Sequence, residues 1–202
     1  MRAVLGALAL TLYAFPASLG AGHDQPAIFN GAGTSRLMLP ATMRTALRDY
    51  DPDFQPYRYD DYLPSIRKYQ PPSKRSSLFC VIGDFNGDGV ADVALQGHSG
   101  QTDLLLAIVS TKKGFRVVEV RRGRYVSPKE EWYGVGQDAA GGEIREYGLW
   151  RFLSYRAPGK INRIDAESFA LKADAFEEVY FETAGMLFYY ADNRFESFQT
   201  SD

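Results

Sequence analysis

The sequence predicts a mainly β protein, an antiparallel meander stacked or closed into a sandwich- or barrel-like body, with one short N-terminal amphipathic helix. Three observations carry this expectation. Apolar and aromatic runs of strand length recur from residue 78 onward, separated by turn residues. Aromatic residues make up 14% of the chain, with 13 Tyr and 13 Phe, and such side chains pack well on a pleated surface. Helical periodicity is confined to one stretch, residues 39–50.

In chain order, residues 1–20 have the layout of a cleavable export signal. Arg2 supplies a charged start, Ala3 to Phe15 an apolar stretch, and Ser18 and Gly20 small residues ahead of Ala21. The apolar stretch is shorter than the roughly 20 residues that span a bilayer. The mature chain is therefore expected to be secreted or periplasmic, without a membrane span; an uncleaved N-terminal anchor is the alternative. Residues 21–38 are polar and glycine-containing and read as a flexible arm. Residues 39–202 are expected to form one β-rich domain.

Within it, Leu39, Met43, Ala46, Leu47 and Tyr50 recur at spacings of three and four, which predicts a helix. Pro40 suits its first turn, and the Asp51-Pro52 step ends it. Residues 50–72 interleave Tyr50, Phe54, Tyr57, Tyr59, Tyr62 and Tyr69 with aspartates and prolines. Aromatic faces beside carboxylates suit sugars or cationic peptides. A connection pinned to the core by its tyrosines, acids outward, has the same composition.

Strands are predicted at Leu78–Ile82, Ala91–Leu95, Leu104–Val109 and Phe115–Val120. The run of six apolar residues from Leu104 implies a strand covered on both faces, and Lys112-Lys113-Gly114 a turn. Residues 125–146 read as loop-like because Gly134-Val135-Gly136 and Ala139–Gly142 interrupt them. Further strands are predicted at Tyr147–Tyr155, Ser168–Leu171, Phe176–Phe181, Met186–Tyr190 and Phe195–Phe198, with Asp192-Asn193 as a hairpin turn.

Between the first two strands lies Gly83-Asp84-Phe85-Asn86-Gly87-Asp88-Gly89-Val90-Ala91-Asp92. Side-chain oxygens fall at alternate positions, and calcium takes six to eight oxygen ligands. With Asp84 as position 1, Asp84, Asn86 and Asp88 would give side-chain oxygens, Val90 its carbonyl, and Asp92 the closing carboxylate. Gly89 permits the left-handed backbone of such a turn. An EF-hand would need Glu at position 12, where Leu95 stands. The same residue types also build an Asp/Asn/Gly-rich turn that holds no metal.

The segment from Gly83 to Leu95 resembles the calcium loop of FG-GAP and VCBS repeats, the blade units of integrin-α-like β-propellers, with the pattern D-x-D/N-x-D-G-x-x-D. The resemblance implies a blade-like unit over residues 77–121, with Ca2+ held by Asp84, Asn86, Asp88, Val90 and Asp92. The motif occurs once.

Composition excludes several classes. The formal net charge is −2, which gives no electrostatic reason to expect nucleic acid. Cys80 is the single cysteine, expected as a small buried hydrophobe. The sequence has no G-x-S-x-G, H-E-x-x-H or paired CxxC, and only two histidines, His23 and His98. His98 is the one residue worth testing as a base, and a solvated loop histidine is the plainer reading. The function expected is a non-catalytic, calcium-stabilised exported module that binds a protein or glycan. The alternatives are a hydrolase or lyase acting on an extracellular polymer through paired carboxylates, and a periplasmic inhibitor or immunity protein.

Overall fold

The computed structural model describes residues 25–31, 34–69, 73–137, 139–161, 168–183 and 185–200. The expected export signal therefore lies outside the described residues. The first described elements are β1 (Ala27–Gly31) and β2 (Thr34–Met38), an antiparallel strand pair within the stretch expected as a flexible arm. Helix α1 (Ala41–Tyr50) follows, then β3 (Gln55–Pro56), a 3-10 turn at Tyr59–Asp61 and helix α2 (Pro64–Tyr69). Next come β4 (Ser76–Ser77), β5 (Cys80–Gly83), β6 (Asp92–Ser99), β7 (Thr102–Thr111) and β8 (Gly114–Arg124). The remaining strands are β9 (Trp132–Gln137), β10 (Glu143–Tyr147), β11 (Arg151–Arg156) and β12 (Gly159–Ile161). They are followed by β13 (Phe169–Leu171), β14 (Ala175–Tyr180), β15 (Gly185–Ala191) and β16 (Arg194–Thr200).

These strands make several antiparallel sheets. The largest has the order β4-β5-β6-β7-β8, with β3 added along β6; a second runs β11-β14-β15-β16. Among the described residues no sheet closes into a barrel or a propeller blade. The barrel-like alternative and the blade-like unit over 77–121 are corrected accordingly: that segment forms most of an open sheet, out to its β8 edge.

Alternation along the strands sets the core, because successive side chains leave a strand on opposite faces. Val93 and Leu95 of β6, with Leu104, Leu106 and Ile108 of β7, pack against Met43 of α1 and against Phe54, Tyr57, Tyr62 and Leu63. The intervening Ala94 and Leu105 pack with Val81 and Phe85 against Leu153, Phe176 and Phe188 of the second sheet. The apolar run in β7 is thus buried on both sides, and each buried methylene removed from water is worth about 0.8 kcal/mol.

A polar layer also joins the two sheets. Arg121 of β8 donates to Asp103 of β7 (2.6 Å) and to Glu178 of β14 (2.9 Å). Arg151 of β11 donates to the same Asp103 at 2.7 Å and lies 3.4 Å from Glu178. Tyr57 Oη donates to Asp103 (2.7 Å), Tyr62 Oη to Gln96 Oε1 (2.9 Å), and Gln96 Nε2 to Glu178 (2.7 Å). Both buried carboxylates of this layer, Asp103 and Glu178, are therefore paired and hydrogen-bonded, the condition under which buried charge is tolerated.

Candidate functional site

The Asp84–Asp92 loop turns where Gly87 and Gly89 take φ of +74° and +85°, the left-handed region that glycine enters without a Cβ clash. Its side-chain oxygens accept hydrogen bonds from the loop's own backbone and from Ser110 of β7. Asp84 accepts the N–H groups of Asp88 (3.0 Å) and Gly89 (2.8 Å), Asn86 Oδ1 that of Asp88 (3.0 Å), and Asp88 Oδ1 that of Val90 (2.9 Å). Asn86 Nδ2 donates to the Ser110 carbonyl at 3.0 Å, and Ser110 Oγ donates to Asp88 Oδ2 at 2.6 Å. Asp92 is 0% exposed and accepts from the N–H groups of Phe85 (2.9 Å) and Ser110 (2.7 Å). Burial pushes its carboxyl up to about 6, against the pull of those hydrogen bonds.

Calcium binding is corrected on this geometry. Among the described residues, no three or more His, Cys, Asp or Glu side chains are gathered where they could hold a metal ion. The oxygens of Asp84, Asn86, Asp88 and Asp92 assigned to calcium act as acceptors that pin a turn, and Val90 stands 39% exposed. These hydrogen bonds are those of an Asp/Asn/Gly-rich turn, the metal-free reading of the same motif.

A different place gathers polar atoms that are not spent. A cleft of about 580 Å³ lies where β3 pairs with the end of β6, lined by Leu37, Phe54, Tyr57, Leu95, His98 and Tyr125, with Arg36, Arg58 and Asp61 among its polar residues. Its size lies within the range of small-ligand sites. Gly97 makes it possible. A Cβ there would meet the Gln55 carbonyl and come within 2.6 Å of the Phe54 ring. Lacking one, β6 accepts β3 with Gln55 opposite His98 and Pro56 opposite Gly97. The Tyr57 N–H then donates to the Gln96 carbonyl (3.0 Å), which sets the Tyr57 ring beside His98.

His98 stacks on Tyr125 with ring centroids 4.3 Å apart and lies 5.8 Å from the Tyr57 ring. Its Nδ1 is buried without a hydrogen-bond partner, a condition shared among the described residues only by the Ser65 and Ser77 hydroxyls, which do not line the cleft. Burial and the Asp103 carboxylate push the Tyr57 hydroxyl far above its ordinary value, so it remains a donor. Asp61 has its Oδ2 on the Arg58 N–H at 2.6 Å.

A second groove, of about 620 Å³, runs beside the loop between Phe85, Leu171, Tyr189 and Tyr190. Two of its polar side chains are already engaged: Asp174 accepts from Tyr155 Oη (2.6 Å) and the Asp84 N–H (2.9 Å), and Tyr190 Oη donates to Asn193 (2.9 Å).

Sequence reasoning singled out both halves of the cleft, the tyrosine-rich segment 50–72 and His98, without joining them. His98 stands on β6 and is half-buried, where a solvated loop residue was the plainer expectation. Arg36, Arg58 and Tyr125 were missed, and their local sequence carries no signal for the role. The paired acids of the hydrolase alternative are not brought together here: Asp61 is the one carboxylate among the described lining residues.

No family model, no curated protein and no solved structure matches the chain. The likeness to FG-GAP and VCBS repeats is overturned by that result together with the open sheets.

Proposed function

We propose that this chain is an exported, non-catalytic binding module that takes a glycan in the cleft between β3, β6 and Tyr125. The observation that carries the reading is the buried, unpartnered His98 Nδ1 within an aromatic-lined cleft. An unsatisfied buried polar atom costs roughly 1–3 kcal/mol, a cost that a ligand hydroxyl would relieve once the rings packed on His98 shift to open Nδ1. Tyr125 and Tyr57 supply apolar ring surface with polar tips, suited to a sugar's C–H face and its hydroxyls. The layout of residues 1–20 supports export.

Calorimetric titration with soluble neutral and acidic disaccharides tests this reading. Binding to the wild type is expected, weakened at least tenfold in His98→Ala and in Tyr125→Ala, with Lys113→Ala, on the β7–β8 turn, unchanged. The absence of binding across the panel, or equal affinity in the His98 and Tyr125 variants, would overturn the reading.

A further inference from the structure

We infer that the glycan carries a carboxylate, as a uronic acid does, and that Arg36 and Arg58 receive it; this rests on the glycan-binding reading above. Both arginines line the cleft and both are exposed. Among the described residues neither has a carboxylate partner, whereas Arg75, Arg121, Arg151 and Arg156 are each held by an acid. The single lining carboxylate, Asp61, offsets one of these two charges and forms an ion pair with neither: its Oδ2 takes the Arg58 backbone N–H, and its own N–H donates to the Arg58 carbonyl at 3.0 Å.

The cleft is therefore locally positive on a chain whose formal net charge is −2. A guanidinium presents a planar fork of donors that matches a carboxylate in two parallel hydrogen bonds. A locally positive cleft also raises the encounter rate of an anion, in a manner that salt suppresses. The rest of the lining is not that of a bare anion site. Leu37, Phe54 and Tyr125 offer apolar surface, and Gln55 and His98 offer polar atoms. Ring and acid group are thus provided for together.

The experiment compares digalacturonate with neutral maltose by calorimetric titration at low and at moderate salt. The acidic sugar is expected to bind at least tenfold more tightly at low salt, with the advantage shrinking as salt rises. Arg36→Gln combined with Arg58→Gln should bring digalacturonate down to the maltose level, while Lys113→Ala leaves the binding of both sugars as in the wild type. Arg58→Lys should recover only part of the loss, since it keeps the charge and not the fork. Both side chains are exposed, so circular dichroism and melting of the variants should match the wild type. Maltose bound as tightly as digalacturonate would overturn the inference and leave the glycan reading standing. Neither sugar bound would overturn both.

Discussion

Asp103 holds two guanidiniums and a phenol at once while only 2% exposed. Burial alone would raise its carboxyl, but Arg151 and Arg121, with the Tyr57 hydroxyl, outweigh that and hold it below the usual range. A carboxyl depressed in this way stabilises the fold above its unfolded value of about 3.9. The contribution is lost as pH falls through the lower folded value. Asp103→Asn should therefore cost roughly 3 kcal/mol near neutral pH, the lower end for removing one partner of a buried pair. The gap from wild type should begin to narrow below about pH 4 and close only below the lower folded value. Urea unfolding followed by circular dichroism checks this, and a gap of constant size from pH 7 to pH 3 would contradict it.

Elements were legible in the sequence where local chemistry decided them. The left-handed glycines of the Asp84–Asp92 loop and the Asp192-Asn193 turn, with φ of +47° and +68°, follow from residue type. The β7 run followed from its length and composition. The hairpin β9–β10 was not legible, because Gly134 and Gly136 read as loop. In the structure Gly134 gives room to the Glu143 side chain across the ladder, and the pairing shifts register between Ile144 and Arg145. The two-residue strand β3 was also hidden, since a proline in a short segment gives no strand pattern. Its position depends on Gly97, which predicts the effect of a single methyl group. Gly97→Ala should destabilise the protein by roughly 1–3 kcal/mol, the usual cost of overpacking. It should also weaken sugar binding by moving Tyr57 away from His98. Thermal melting and titration of one preparation check both, and a variant as stable as wild type would show that β3 does not lie against β6.

The whole molecule places its candidate site where no local pattern could announce it. His98 comes from β6, Tyr57 from the segment after β3, Tyr125 from just beyond β8, and Arg36 from β2. Only the packing of α1 and residues 54–66 onto one face of the large sheet brings them together. The acid-rich loop drew attention because its pattern is compact in sequence, yet its oxygens accept hydrogen bonds from the loop's own backbone and from Ser110 of β7. The buried ionic layer between the sheets roots Tyr57 through Asp103 and so fixes one wall of the cleft.

The most direct test of the glycan-binding cleft is the nitrogen resonance of the His98 imidazole, recorded with and without saturating digalacturonate. The sequence holds only two histidines, so His98→Gln assigns the signal. A new hydrogen bond at the buried Nδ1 predicts a clear displacement of that resonance, with the His23 signal unmoved. A His98 signal that stays in place at saturation would contradict the account.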